Sequence, residues 1–336
     1  MRIAAVAAAW TLALGAWADL GPWHSRAFAS PVSVAWTWPG GERGSMTLGG
    51  QGGVFTPAAP GTAVVVRCEG ADASGQDAWE SSWGVTNRGM RFEAGLPRES
   101  GTYWVAQRVG RIDRRIVAAF AVAGGRDREA DARSFPPVTR HDSEKIRRYR
   151  SAYEPPAWQA FAPRWADAFP MSHGVRVADF CSHDGDRCLV VDPDVLDLFA
   201  RIATELEGWG IPAHALRPIS GYRSHDHNRS EGGAARSRHR YGDAIDFIVD
   251  ADADGRMDDL DGDGDTDGND LWRVALLVED LQAGNASWRG GCGLYLSDTT
   301  IGSVHIDTRG HRARWGTGAL DARWDRLARE RGITDE

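Results

Sequence analysis

The feature that most constrains this chain is a run of Gly, His, Arg and Asp residues between Ile219 and Asp246. It reads I-S-G-Y-R-S-H-D-H-N-R-S-E-G-G-A-A-R-S-R-H-R-Y-G-D-A-I-D and places a histidine and an aspartate seven positions apart. The aspartate belongs to the apolar strand predicted over Ala244–Val249. Catalytic zinc takes three protein ligands from histidine nitrogen and carboxylate oxygen and keeps a fourth position for water. The run therefore predicts a metal site with His239 and Asp246 as two ligands.

A third ligand has to come from elsewhere in the chain, and we predict that it is His305. In the segment Gly302–Asp307, alternation places His305 and Asp307 on one face of a strand and the two aliphatic residues on the other. A histidine and an aspartate at this spacing, taken alone, are more often a salt-bridged pair than a metal site.

The motifs around these residues resemble those of the LAS zinc peptidases, which include D-Ala-D-Ala carboxypeptidases, M15-like murein endopeptidases and the hedgehog signalling domain. The shared pattern is S-G-Y-R-S, H-N, G-G-A, S-x-H-x-x-G-x-A-x-D and V-H-I-D, over roughly residues 193–315. The resemblance implies an α+β zinc-peptidase domain, an antiparallel sheet with packed helices, over residues 156–336. It also implies that His239, Asp246 and His305 bind zinc, and that Arg223 steadies the carbonyl or carboxylate of the substrate.

The chain departs from that pattern at the catalytic base. Many members carry Glu or Asp three residues before the last ligand histidine, where this chain has Gly302. We predict Asp307 as the base because it shares a strand face with His305, and Asp298 in the preceding loop is the second choice. Asp307 could instead orient a metal ligand, and that alternative stays open.

An acidic insert at 250–270 follows the predicted zinc ligand, with ten Asp against one Arg. Its charge of −9 (−10 + 1) compares with −8 for the whole chain, so the acidity is local. Its spacing matches positions 1, 3, 5, 6, 9 and 12 of a calcium loop, although Asp stands where the bidentate Glu is usual. A solvated acidic loop is the alternative, but so much like charge repels itself without a cation. The predicted calcium ligands are Asp250, Asp252, Asp254, Asp258 and Asp261, and a second, overlapping site is predicted from Asp261 onwards.

The N-terminus has the pattern of a secretory signal peptide. A basic start, an apolar run from Ile3 to Trp17 and a small-x-small site predict cleavage after Ala18. A retained anchor is the alternative, but the run is short for a span of about 20 residues. No other stretch is apolar enough to cross a membrane. We therefore expect a periplasmic or secreted protein with no stable membrane span after cleavage of residues 1–18.

Residues 30–124 predict an all-β domain, because short β-rich runs alternate with Gly, Pro and Asn turns. The sequence from Ser100 to Tyr103 is similar to the tyrosine corner of immunoglobulin-like sandwiches, in which the Tyr hydroxyl bonds to nearby backbone. The cysteine that often follows two residues later is replaced by Val105. We predict an immunoglobulin-like sandwich without its inter-sheet disulfide, which serves as a wall-binding module or as a spacer.

Residues 125–155 are dense in charge and poor in apolar side chains, which predicts a linker. Beyond it, Asp192 as N-cap and Pro193 in the first turn predict a helix that ends near Gly208. Two further helices are predicted over Leu271–Leu281 and Asp321–Arg331.

Four cysteines are present, and export would allow them to form disulfides. Cys181 and Cys188 enclose a short polar loop and are predicted to pair, with a Cys-His-Cys metal site as the alternative. Whether Cys68 and Cys292 join, stay free or bridge the domains stays open.

Together these features predict an exported zinc peptidase that hydrolyses peptidoglycan stem peptides or cross-links, as a D-Ala-D-Ala carboxypeptidase or a murein endopeptidase. Zinc and calcium are the predicted cofactors, and we expect no nucleic-acid partner. Two other functions stay open. One is an inactive zinc-bearing module that binds the cell wall, and the other is a calcium-organised extracellular adhesion protein.

Overall fold

The computed structural model describes residues 32–37, 41, 43–48, 54–68, 78–89, 91–109, 113–125, 134–172, 174–185, 187–296 and 302–333. The chain forms two compact units, Met1–Gly124 and Gly125–Glu336. The predicted signal peptide and Asp298 lie outside the described residues. In the part that is described, no helix is both long and apolar enough to cross a membrane.

The first unit consists of two β-sheets over its described residues. One sheet has the order β2-β1-β4-β7 and the other β3-β9-β8-β5-β6, in which β3 and β9 run parallel. The strands are β1 Val32–Thr37, β2 Arg43–Leu48, β3 Val54–Ala58, β4 Ala63–Cys68, β5 Ala78–Ser81, β6 Thr86–Arg88, β7 Arg91–Gly95, β8 Gly101–Val109 and β9 Asp113–Val122.

Aromatic side chains lie between these two sheets. The ring of Phe92 on β7 contacts those of Trp79 on β5 and Trp83, at centroid distances of 6.4 and 6.0 Å. The Tyr103 hydroxyl donates to the carbonyl oxygen of Glu99 at 3.2 Å, which is the local contact expected of a tyrosine corner. The immunoglobulin-like assignment itself stays a prediction.

The second unit mixes helices and strands. Its strands after β10 (Gly124–Gly125, at the unit boundary) are β11 Trp158–Phe161, β12 Pro170–Ser172, β13 Val175–Arg176, β14 Cys188–Leu189, β15 Leu216–Ser220, β16 Ala244–Val249, β17 Gly291–Tyr295, β18 Ser303–Asp307 and β19 Ala313–Gly316. Its α-helices are α1 Glu144–Arg148, α2 Val177–Phe180, α3 Pro193–Gly208, α4 His225–Ser230, α5 Gly268–Gly284 and α6 Ala319–Glu330. Short 3-10 helices span Arg150–Tyr153, Arg164–Ala166, Ala213–Ala215, Arg238–Arg240 and Ala286–Trp288.

A five-stranded sheet of order β15-β16-β18-β17-β19 forms the centre of this unit. Its neighbouring strands are antiparallel except for the parallel pair β17 and β19. Helix α3 packs on it, with the Phe199 ring 5.6 Å from that of Phe247 on β16. The mixture of helices with a mostly antiparallel sheet makes this an α+β unit.

The three predicted helices are present, with small differences in their ends. Asp192 caps α3 by accepting from the Asp194 amide at 3.0 Å, and Pro193 occupies the first turn, as predicted. Helix α5 begins three residues before Leu271 because Asp267 accepts from the Asn269 amide at 2.6 Å and acts as its N-cap.

Residues 134–153, which we call the strap, lie within the predicted linker but belong to the second unit, where they pack on its later residues. Phe135 is buried and its ring lies 5.0 Å from that of Tyr241. Tyr153 is also buried, and its hydroxyl is 3.1 Å from Nε2 of His311. Charged residues of the strap also contribute to this packing, because Asp142 forms an ion pair with Arg236.

Candidate metal centre

Three side-chain atoms converge on one point of the second unit: Nε2 of His239, Oδ1 of Asp246 and Nδ1 of His305. Their separations are 3.2 Å between the two nitrogens, and 3.1 and 2.7 Å from the carboxylate oxygen to His239 and His305. Ligands bound tetrahedrally at zinc distances of 2.0–2.1 Å lie about 3.3 Å apart. The triangle therefore has nearly the size that a zinc ion requires.

The hydrogen-bond partners of the two imidazoles decide which nitrogens face this point as acceptors. Nδ1 of His239 lies 2.6 Å from the carbonyl oxygen of Gly221, which accepts a hydrogen, so Nε2 carries the lone pair. Nε2 of His305 lies 3.1 Å from Oδ2 of Asp307, which leaves Nδ1 as the acceptor in the neutral ring. Two lone pairs and a carboxylate oxygen at this spacing repel one another unless a cation or a proton lies between them. The donor set therefore fits zinc.

The side chains around this point favour positive charge there. Burial alone would lower the pKa of His305, but its hydrogen bonds to Asp246 and Asp307 raise this pKa to about 9. Burial would likewise raise the pKa of Asp246, yet the two imidazoles hold it well below its usual range.

The turn that carries His239 is shaped by the glycines around it. Gly242 has a φ of +78°, and a Cβ there would overlap the backbone of Val190. The side chain of Asn228 on α4 donates to the carbonyl oxygens of Gly233 and Ala234 at 3.2 and 3.0 Å. The H-N and G-G-A motifs thus fix the loop that leads into the 3-10 helix of His239.

The other two ligands belong to one row of residues that crosses the whole sheet. In the strand register Ser220 pairs with Asp246, Asp246 with His305, His305 with Gly293, and Gly293 with Trp315. Directly paired residues in neighbouring strands project from the same face of a sheet. The row therefore places all these side chains on the face that carries the metal centre.

Gly293 makes room in this row for Trp315, a residue that sequence reasoning missed. A Cβ at position 293 would overlap the indole of Trp315. Because this side chain is absent, the indole lies across β17 with its ring 5.2 Å from that of His305. A glycine inside a strand often marks the close approach of another group. Gly293 is therefore the sequence signal from which a contact at this position could have been predicted.

Arg223 stands beside the ligands, in the loop after β15. Its backbone N–H donates to the carbonyl oxygen of His239 at 3.1 Å. Its Nε donates to Oγ of Ser220 and its Nη2 to Oδ2 of Asp246, both at 2.8 Å. The guanidinium is thus held on the outer oxygen of the ligand carboxylate, and among the described residues its Nη1 has no hydrogen-bond acceptor.

Asp307 lies behind His305 and is fully buried. Its Oδ1 accepts from the Gly291 amide at 2.9 Å and from Nε of Arg309 at 2.7 Å, and its Oδ2 forms an ion pair with Nη2 of Arg309. Burial would raise the pKa of Asp307, but Arg309 and His305 hold it well below its usual range. Of the two roles that the sequence left open, this geometry favours the one in which Asp307 orients a ligand.

Gly302 is where many LAS peptidases carry the acidic base. Its φ is +148°, and a Cβ at this position would come within 2.7 Å of Cδ1 of Leu271. A side chain at position 302 would therefore strain the backbone and push against the Leu271 side chain. Position 302 therefore carries no acidic group, and the other candidate, Asp298, lies outside the described residues.

The acidic insert, for which a calcium loop and a second, overlapping site were predicted, contains two groups of carboxylates. Asp250, Asp252 and Asp254 approach one another, and a separate group consists of Asp259, Asp261 and Asp263. The predicted ligand Asp258 instead accepts from the Ala251 amide at 2.8 Å, and Asp250 forms an ion pair with Arg217. Backbone N–H groups and the Arg217 side chain thus compensate part of the negative charge that was expected to require a cation. Calcium binding stays a prediction.

The predicted disulfide between Cys181 and Cys188 is not formed in this structure, in which Cys181 is a free, buried thiol. The backbone brings the two residues near each other, since the Ser182 amide donates to the carbonyl oxygen of Cys188 at 2.9 Å. Burial raises the pKa of the Cys181 thiol, so the thiolate that attacks a partner sulfur is scarce. Cys292 is also a buried thiol, and nothing is described of the Cys68 side chain.

Residues 180–260 match the family model of Peptidase M15. The matched segment contains Arg223, His239 and Asp246, and ends before His305. Searches of curated proteins and of solved structures return no match. The family match supports an M15-like metallopeptidase domain, and M15 peptidases are zinc-dependent.

Proposed function

We propose that the second unit is a zinc-dependent peptidase that hydrolyses peptide bonds of peptidoglycan, either a terminal D-Ala-D-Ala bond or a cross-link. The observation that supports this most strongly is the triangle of acceptor atoms on His239, Asp246 and His305. The match to Peptidase M15 over the segment that supplies two of these ligands supports it independently.

Zinc, when bound by these three residues, lowers the pKa of water towards 7 and polarises a carbonyl group. The protein side chains around it position the reacting groups. Asp307 accepts a hydrogen from His305 and so keeps the other ring nitrogen directed at the metal. Arg223 offers Nη1 to a carbonyl or carboxylate oxygen of the substrate, while its other nitrogens are held by Ser220 and Asp246.

Peptide hydrolysis also needs a group that takes a proton from water and passes it to the leaving amine. An effective base has a pKa near the working pH, whereas the pKa of Asp307 is held far below it and both of its oxygens are occupied. We therefore propose Asp298, the other predicted base, for this step.

We further propose that the enzyme acts outside the cytoplasm, which the signal-peptide pattern over residues 1–18 supports. Peptidoglycan stem peptides are exposed in that compartment, and the resemblance to murein peptidases makes them the substrate class to test first.

The test is to incubate the purified protein with defined muropeptides and to identify the products by mass spectrometry. We expect cleavage with zinc, loss of cleavage with a zinc chelator and recovery on adding zinc back. The His305→Ala variant is the control for contaminating peptidases. The mass of the products distinguishes removal of a terminal D-alanine from cleavage of a cross-link.

The constraint at Gly302 supports a second candidate, a zinc-bearing module that binds peptidoglycan without cleaving it. Zinc-dependent sedimentation with insoluble peptidoglycan, without any soluble product, would favour that function over the peptidase.

A further inference from the structure

Tyr295 lies beside the metal centre on the same face of the sheet. It pairs with Ser303 in the register of β17 and β18, two residues away from the ligand row on each strand. Side chains alternate along a strand, so Tyr295 projects from the face that carries His305. It is 41 % exposed, which leaves it open to a bound peptide.

Trp315 connects Tyr295 to the metal centre. Its ring lies 5.2 Å from that of His305, and its Nε1 donates to the Tyr295 hydroxyl oxygen at 2.7 Å. Indole is only a donor, so this bond occupies the acceptor side of the phenol and leaves the phenolic hydrogen to be donated elsewhere. Among the described residues, no protein acceptor lies within hydrogen-bond distance of that hydrogen.

The charges of the metal centre act on this hydroxyl. Burial and the Asp246 carboxylate raise the pKa of Tyr295, against the Trp315 hydrogen bond and the Arg223 guanidinium. The phenol is therefore protonated at neutral pH and able to donate. The strands β16 and β18, which carry Asp246 and His305, lie between β15 and β17 in the sheet. Tyr295 on β17 and Arg223 after β15 therefore lie on opposite sides of the metal centre.

We propose that Tyr295 is a catalytic residue that donates a hydrogen bond to the acyl oxygen of the scissile peptide bond, and that Trp315 is its positioning residue. The phenolic O–H bond stays intact, and only the hydrogen bond strengthens as the acyl oxygen gains negative charge. A fixed donor of this kind stabilises the transition state more than the substrate. This inference rests on the proposed peptidase function and assigns one of its charge-stabilising groups.

The test compares Tyr295→Phe with the wild-type protein, both loaded with zinc. The probe is a phosphinate analogue of alanyl-alanine, whose tetrahedral phosphorus group carries charged oxygens where the acyl oxygen gains charge. We expect Tyr295→Phe to retain full zinc and to bind the phosphinate about 10²–10³-fold more weakly by calorimetry. Its kcat for muropeptide cleavage should fall by a similar factor, with KM changed less than about twofold.

Two further variants separate a catalytic from a merely structural role. Trp315→Phe keeps a ring beside His305 but removes the N–H donor, so it should weaken phosphinate binding, and the double variant should bind no more weakly than Tyr295→Phe. Tyr149→Phe makes the same chemical change at a ring that packs on His311, away from the ligand row, and should bind like wild type.

Unchanged phosphinate binding and kcat in Tyr295→Phe, while the wild type binds and cleaves, would overturn this inference and leave the peptidase function standing. Loss of zinc from Tyr295→Phe would also overturn it, because the residue would then be structural. If the zinc-loaded wild type neither binds the phosphinate nor cleaves muropeptides, the proposed function fails and this inference fails with it.

Discussion

Oδ2 of Asp307 lies 3.1 Å from Nε2 of His305, on the side of the imidazole that faces away from the ligand carboxylate of Asp246. A buried carboxylate on the outer nitrogen of a ligand histidine fixes the orientation of the ring and raises the electron density on the metal-facing nitrogen. His305 thus has one carboxylate on each side.

Asp307→Asn should weaken zinc binding by about 10–100-fold, the usual effect of removing such a partner, and excess zinc should partly restore turnover. The measurement is a competition titration with a chromogenic zinc chelator. Asp243→Asn is the matched control, because Asp243 is equally buried and paired with Arg238 but has no hydrogen bond to a zinc ligand. It should lower stability and leave zinc affinity unchanged.

Asp298→Asn should retain zinc and lose about 10²–10⁴-fold in turnover at saturating zinc, if Asp298 transfers the proton. Turnover close to wild type in this variant, combined with a large loss in Asp307→Asn that zinc does not restore, would return the role of base to Asp307.

His239→Ala and His305→Ala should each lose bound zinc, since each removes one of three converging ligands. Zinc content is measured by atomic emission after dialysis against metal-free buffer. His214→Ala changes an exposed histidine of the same unit and should keep its zinc. Full zinc occupancy in both ligand variants would refute the site.

Gly293→Ala should move the Trp315 indole off His305, because the new methyl group overlaps that ring. Overpacking of this kind costs about 1–3 kcal/mol of unfolding free energy, and turnover should fall with it. Thermal denaturation measures the loss of stability, and near-UV circular dichroism reports the shift of the Trp315 indole. Gly185→Ala adds a methyl group in open space without a positive φ, so a similar loss there would show that the packing at 293 is not responsible.

Acid should weaken the second unit through His311. Burial and the nearby Arg309 lower the pKa of His311 to about 4, below the usual value near 6.5 of an unfolded histidine. The stability that this group contributes is present above about pH 6.5 and is lost as the pH falls through about 4. Unfolding by urea at pH 7, 5.5 and 4 should show a smaller decline in His311→Asn than in wild type, and equal declines would exclude this cause.

The convergence of His239, Asp246 and His305 could be predicted from local patterns together with the resemblance to LAS zinc peptidases, and zinc binding by them stays a prediction. The spacing from His239 to Asp246 spans one turn and the start of one strand, and simple alternation placed His305 and Asp307 on one face. The sequence pattern does not contain the register that aligns these strands, so the approach of Trp315 across Gly293 could not be predicted. The engagement of Asp307 by Arg309 was equally hidden, although the two residues are only two positions apart, because it depends on burial.

The same limit explains the strap. Low apolar content predicts an extended linker, since few side chains are available for a core. Two aromatic residues, Phe135 and Tyr153, nevertheless pack here against the rings of Tyr241 and His311, next to the ion pair of Asp142 with Arg236. The average composition of a segment does not reveal single buried aromatic residues, and the sequence does not show which surface they pack against.

The strap has a practical consequence for work on the second unit alone. A recombinant fragment that begins at residue 156, where composition places the domain boundary, would contain every proposed zinc ligand. It would nevertheless leave the Tyr241 ring without the two aromatic rings that contact it and the Arg240 guanidinium without the Ser134 carbonyl oxygen. Such a fragment should aggregate during expression, whereas one that begins before Ser134 should be soluble, so an inactive short fragment would say nothing about the chemistry of the enzyme.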